Sequence, residues 1–320
     1  MRILVTGGFG YVGSSLVTEL SRKGHQVTVV DTGWFGNFLP KLNDVKIEKK
    51  AYSDLSISDI EGHEIVIHLA NVANDPSVEL NPVLSWEINV LHHTQLLENC
   101  RRSNSVRKFV YASSGSVYGI KLEDKVTEDL APFPISVYNK TKMVAERVAL
   151  SYSDDFSVII IRPATVCGIS PRMRFDVVVN MFVLQAFISN EIQVLGGDQI
   201  RPNIHMKDMV RVYEHAISND LKPGIYNAGF ENISVRDIAQ KVSDISNARI
   251  VLKDSNDPRS YRQDSSKLIA SGFEQQYGVD DAISEVWHAL RTKEISDQPQ
   301  WHTVKWMVDN KIHLGIQHGK

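Results

Sequence analysis

Tyr138 and Lys142 stand four residues apart in the run Tyr138-Asn139-Lys140-Thr141-Lys142. On a helix that spacing puts both side chains on one face. A free tyrosine, with a pKa of about 10, is a poor acid or base at neutral pH. A neighbouring ammonium favours its phenolate, and a tyrosine so tuned can take a proton from a hydroxyl while hydride leaves the carbon. The pair alone is a weak signal, because Tyr and Lys at this spacing are common on exposed helices. It gains weight from Ser113-Ser114-Gly115-Ser116-Val117-Tyr118-Gly119, which follows the apolar run Phe109–Ala112. In a parallel sheet the carboxyl end of a strand faces the ligand crevice, so a serine hydroxyl of this run can hydrogen-bond a reacting oxygen.

Hydride chemistry needs an acceptor, and the N-terminal segment offers a place for one. Gly7, Gly10 and Gly13 are spaced GxxGxxG in Thr6-Gly7-Gly8-Phe9-Gly10-Tyr11-Val12-Gly13. Glycine permits a left-handed turn and lets the backbone approach a pyrophosphate. Tyr11, Val12 and Gly13 open the next helix, whose unpaired N–H groups and partial positive charge suit phosphate. Asp31 ends the following apolar run, Val27–Val30. A carboxylate there accepts from both ribose hydroxyls and repels a 2′-phosphate, so the expected cofactor is NAD rather than NADP.

These residues need a scaffold that brings strand ends together. Short apolar runs at Ile3–Val5, Val27–Val30, Ile65–Ile67, Phe109–Tyr111 and Val158–Ile161 alternate with helical patterns, including a long one near 82–103. Continuous apolar strands separated by helices imply a parallel sheet covered on both faces. The expected fold is α/β, a Rossmann-type doubly wound parallel sheet with a smaller α/β substrate-binding region. The division expected is 1–165 for dinucleotide binding and 166–320 for substrate, with about 203–228 returning to the main sheet. A helix is expected near 176–190, with short strands at Ile192–Leu195 and Ile225–Asn227.

The 320 residues carry 35 Lys+Arg and 38 Asp+Glu, a net charge of −3. That balance is ordinary for a globular protein and excludes dominant disorder. It leaves no basic footprint for nucleic acid. No apolar run reaches the roughly 18 residues a membrane span needs, and the N-terminus lacks the apolar stretch of a signal peptide. Two cysteines, Cys100 and Cys167, suit a reducing compartment, so a cytoplasmic protein is expected. The histidines have no metal-ligand spacing, and no metal is expected.

Together, TGGFGYVG at 6–13, Asp31, HLA at 68–70, SSGSVYG at 113–119 and YNKTK at 138–142 resemble the extended short-chain dehydrogenase/reductase family. Within it the chain is similar to nucleotide-sugar epimerases and dehydratases. The resemblance implies that Gly7, Gly10 and Gly13 cradle the NAD pyrophosphate and that Asp31 holds the adenosine ribose. It further implies that Asp54 and Leu55 flank the adenine, and that Ala70 and Asn89 border the cofactor. Ser114, Tyr138 and Lys142 would be the catalytic set, with Lys142 also on the nicotinamide ribose. For a nucleotide-diphosphate sugar it implies Asn180, Arg201 and Arg259 at the diphosphate, with Arg262 in reserve for Arg259. It also implies a homodimer built on helices near 82–103 and 138–153, and a setting in surface-polysaccharide synthesis.

The departures narrow the reaction. Dehydratases of the family carry Asp-Glu directly after the catalytic hydroxyl, where this chain has Gly115 and Ser116. Dehydration and decarboxylation are therefore not expected. Thr165 replaces a substrate-contacting asparagine, and Ala73 replaces a lysine near the cofactor, which separates the chain from standard UDP-hexose 4-epimerases. The expected function is an NAD-dependent nucleotide-sugar epimerase working through a keto sugar. The alternatives are a nucleotide-sugar 4-dehydrogenase or ketoreductase, and a non-catalytic NAD-binding regulator. His205 is expected as a packed strand histidine and Asp208 as a helix cap.

Overall fold

The computed structural model describes residues 1–218, 221–254 and 260–315. Six strands come first: β1 (Arg2–Thr6), β2 (Gln26–Val30), β3 (Val45–Glu48), β4 (Ile65–His68), β5 (Lys108–Ala112) and β6 (Ser157–Pro163). Six more follow: β7 (Thr165–Cys167), β8 (Glu191–Leu195), β9 (Ile200–His205), β10 (Gly224–Ala228), β11 (Glu231–Ser234) and β12 (Arg249–Lys253). The main sheet runs β10-β6-β5-β4-β1-β2-β3, and all its pairs are parallel.

The strands are apolar along their length because both faces are covered. Alternate residues serve opposite layers. Ile3, Val5, Val110, Ile159 and Ile161 pack with the helices Tyr11–Arg22 and Met206–Ile217. Leu4, Phe109, Tyr111, Val158 and Ile160 pack with His93–Ser103 and Val137–Leu150. Strand order reverses between β1 and β4, and in such sheets the crevice over the carboxyl ends at that switch takes the ligand. The chain exits there at Gly7 after β1, at Leu69–Ala70 after β4 and at Ser113–Ser114 after β5.

The long helical pattern near 82–103 is a succession of Pro82–Trp86, a π-helical stretch at Glu87–His92 and His93–Ser103. The expected helix near 176–190 spans Val178–Ser189 and packs on Val235–Ser246 and Val279–Arg291. Two small sheets, β11-β9-β7 and β12-β8, complete this region. The helix Met206–Ile217 is capped differently from the expectation. His205 Nδ1 accepts from the Lys207 amide at 3.1 Å, while Asp208 takes the Gln276 and Tyr277 amides. Asp208 is buried inside the first turn, beyond the cap position, and so ties a distant loop to the helix.

Candidate active site

The loop after β1 is shaped by backbone contact. Gly7 sits at φ +78°, and a Cβ there would come within 2.6 Å of the Ala70 nitrogen. A Cβ on Gly13 would lie 2.1 Å from the Gly7 carbonyl oxygen, so the turn closes only without side chains. Gly10 caps the Tyr11–Arg22 helix and brings no side chain to its first-turn amides. They remain free for an anion, as a helix N-terminus allows. Just beyond β2, the Asp31 carboxylate accepts from the Phe9 amide at 3.0 Å and the Gly33 amide at 2.8 Å. Burial raises its pKa, against those two amides, which lower it.

The cleft over the strand ends encloses about 1160 Å³. That exceeds the roughly 300–1,000 Å³ of a pocket for one drug-sized molecule, leaving room for a dinucleotide and a second ligand. The side-chain-free cradle, the uncapped amides and the acidic residue at the ribose end together fit NAD.

Ser114, Tyr138 and Lys142 meet in the same cleft. Ser136 caps the helix Val137–Leu150, its Oγ accepting from the Asn139 amide at 3.1 Å. That cap fixes Tyr138 in the first turn with Lys142 one turn on. Lys142 Nζ donates to the Ala112 carbonyl at 2.7 Å, and lies 5.9 Å from the Tyr138 ring centre. Burial pulls Lys142 down to about 7, while Glu146 opposes the shift. Burial also pushes Tyr138 up to about 12; a hydrogen bond from Ser114 and one from the Asn74 backbone act the other way. In the protein alone desolvation dominates, and Tyr138 is a neutral phenol at neutral pH.

Residues 3–229 match the model of the NAD dependent epimerase/dehydratase family. The chain belongs to that family. This membership places it in the extended short-chain dehydrogenase/reductases and makes it an NAD-dependent enzyme. An uncharacterised UDP-glucose epimerase, YtcB, of Bacillus subtilis (strain 168) is 30 % identical over 277 residues, covering 79 % of this chain and 84 % of that protein. Among solved structures, UDP-glucuronic acid 4-epimerase from Bacillus cereus, in complex with UDP-glucuronic acid and NAD, superposes with a TM-score of 0.82 at 25 % identity. The match covers 92 % of this chain and 100 % of that one. The NAD-dependent NDP-hexosamine 5,6-dehydratase TunA superposes at 0.84 with 26 % identity, covering 91 % and 98 %.

Within this family member, Gly7, Gly10, Tyr11, Val12, Gly13, Asp31, Ala70, Thr165 and Arg201 also line the cleft. Tyr11 contributes backbone only, because its hydroxyl donates to the Gly168 carbonyl at 2.6 Å. Four of the expected residues do not line the cleft. Asn89 is fully buried, accepting from the Val72 amide and donating to the Val72 carbonyl. It therefore shapes the loop beside Ala70 from behind. Asn180 is fully buried too, bonded to Gly168, Tyr11 and Arg174. It braces the wall, with no polar atom left over for a diphosphate. Leu55 packs in the core and Asp54 faces solvent. The wall at that end is Lys50, Ala51, Tyr52 and Ser53. Arg259 lies outside the described residues.

Sequence reasoning missed Arg172, Arg174 and Asp176, all on the cleft. Arg174 pairs with Asp176 at 2.8 Å. Three charges inside the otherwise apolar stretch Arg172–Val179 were the available signal. Sequence reasoning also missed Asp75, which faces the cleft and raises Tyr138 electrostatically. The fold brings this carboxylate in on the short helix Asp75–Glu79 that follows β4, far in sequence from the positions next to Ser114. The C-terminal helix Thr303–Asp309 and the turn Ile312–Leu314 close one side through Thr303, Met307 and Ile312. This segment is anchored by Trp306 Nε1, which donates to the Trp34 carbonyl at 2.7 Å.

Proposed function

We propose that the protein is an NAD-dependent nucleotide-sugar epimerase that inverts a ring carbon through a keto-sugar intermediate. The observation that carries this reading is the meeting of Ser114, Tyr138 and Lys142 beside the glycine cradle. Tyr138 takes the proton of the substrate hydroxyl, and returns it when the keto sugar is reduced from its other face. Ser114 hydrogen-bonds the same oxygen and the Tyr138 hydroxyl. Lys142, fixed by the Ala112 carbonyl, holds the cofactor ribose and supplies positive charge near the phenol. Bound NAD supplies the hydride acceptor, and its cationic ring favours the phenolate.

Two features favour epimerisation over dehydration. A Cβ on Gly115 would lie 3.0 Å from Gln263 Oε1, so an acidic side chain there would have to displace Gln263. Ser116 donates to Asn139 at 2.6 Å. Of the cleft's other carboxylates, Asp176 is paired with Arg174. Arg201 and Thr165 are the proposed substrate contacts on the cleft wall. The relatives' names support a UDP-sugar as substrate.

Proton NMR of UDP-, GDP-, CDP- and dTDP-sugars incubated with the protein and NAD tests the reading. A new anomeric signal approaching a fixed ratio, without accumulating NADH, is expected. NADH growing with a keto-sugar signal would make it a dehydrogenase. An unsaturated or deoxy product would instead assign acid chemistry to Asp75.

No helix among the described residues is long and apolar enough to cross a membrane. A cytoplasmic location is proposed on the two buried free thiols, Cys100 and Cys167, and cell fractionation checks it. We also propose a homodimer through the helices at 82–103 and 137–150. Leu91 supports it, being 63 % exposed on the first of them. Light scattering at micromolar concentration should give twice the chain mass, and a monomer would refute the dimer.

A further inference from the structure

Arg172 is a buried cation without a carboxylate partner among the hydrogen bonds and ion pairs of the described residues. Only 3 % of its surface is exposed. Its guanidinium lies over the Phe35 ring, 4.3 Å from the centroid. Nη2 donates to the Gln300 carbonyl and to Thr303 Oγ1, both at 3.3 Å, and Nε has no hydrogen-bond partner. Leaving a buried charge with neutral partners and an unused donor is costly, so the arrangement calls for an anion.

The backbone shows where that anion belongs. The Arg172 amide donates to Ser14 Oγ at 3.2 Å, and the Ser14 amide donates to the Gly10 carbonyl at 2.9 Å. Ser170, two residues before, donates to the Tyr11 carbonyl at 2.6 Å and meets the Ser14 hydroxyl at 2.9 Å. The segment is thus stitched to the first turn of the glycine-capped helix, and Arg172 shares the cleft with Gly10, Tyr11, Val12 and Gly13. Two independent features converge on one spot: free helix amides and a guanidinium held by neutral partners with its Nε donor unused.

We propose that Arg172 is a ligand of the NAD pyrophosphate, aimed from the C-terminal segment by Gln300 and Thr303. Guanidinium suits this role because it pairs with phosphate oxygens in a fork. The C-terminal segment then takes part in cofactor retention, as the support of a phosphate-binding side chain. Burial, with Arg174 beside it, pulls Arg172 down to about 9. The carboxylates of Asp176 and Asp31 oppose that shift, and a bound diphosphate would add to their effect.

The test uses the full chain stripped of cofactor, with ADP-ribose, adenosine and NADP as calorimetric probes. Arg172→Gln should weaken ADP-ribose and NAD by about 10–100-fold, the scale of one charged hydrogen-bonding pair, and leave adenosine within about twofold. Thr303→Val, which removes one aiming contact and keeps the volume, should show the same pattern at about 3–10-fold. It carries the test alone if Arg172→Gln does not fold. An equal loss for adenosine would mean a merely structural role. Unchanged ADP-ribose binding, or a loss confined to NADP, would also overturn the proposal.

Discussion

Replacing Tyr138 with Phe should lower kcat by about 10²–10⁴-fold, the usual worth of a positioned general acid–base, with NAD binding retained. The ring stays and only the oxygen goes. Ser114 and the Asn74 backbone favour the ionised form of that oxygen against its burial. The pH profile gives a second readout. Burial holds the phenol up at about 12 in the protein alone, and a cationic ring beside it lowers that value. The base form grows as pH rises, so wild-type kcat/KM should climb along an acid limb that ends at the tyrosine pKa of the loaded enzyme. Because the Phe variant has no phenol to titrate, its residual rate should lack this limb. Steady-state kinetics across pH, with NAD titrated separately, checks both. Unchanged kcat would refute the assignment of Tyr138.

Glu146→Ala should destabilise the fold by about 3–5 kcal/mol, because it leaves a buried arginine unpaired. Glu146 is fully buried and Arg162 is 1 % exposed. They pair through two hydrogen bonds, at 2.8 and 2.7 Å. Arg162 also donates to the Tyr118 hydroxyl at 2.8 Å, which donates to Asn227 at 2.9 Å. Ser113 donates to Glu146 as well. The network clamps the helix of Tyr138 and Lys142 to the ends of β5, β6 and β10, directly under Ser114. Denaturant unfolding measures the loss. Adding Arg162→Leu should restore part of it, since the orphaned charge leaves with the arginine. A loss below about 1 kcal/mol would show that water reaches Arg162 when its partner is gone.

Much of the catalytic half was legible because its signals are local. A glycine that must turn left-handed, a carboxylate at a strand end and a Tyr–Lys pair one helical turn apart each declare themselves within a few residues. The resemblance drew on those same runs. The misses share a different cause. Asn89 and Asn180 were placed on ligands because a polar residue at a motif position invites that role. In the fold, buried backbone groups of Val72 and Gly168 take up their donors and acceptors. Leu55 packs in the core for a different reason, the burial of its apolar side chain.

From the sequence alone followed the parallel α/β fold, the preference for NAD and the gathering of Ser114, Tyr138 and Lys142 over the strand ends. Each rests on short-range chemistry: strand apolarity, the freedom of glycine and helical spacing. The charge landscape of the cleft came from long-range packing. Asp75 reaches Tyr138 from the start of the helix Asp75–Glu79, and Arg172 is aimed by residues about 130 positions later in the chain. Contacts of that range depend on how layers dock, and no periodicity in the sequence records them. The same holds for the proton affinity of Tyr138. Its residue type suggested a tuned base, while the depth of its burial determines how much positive charge the loaded site must supply.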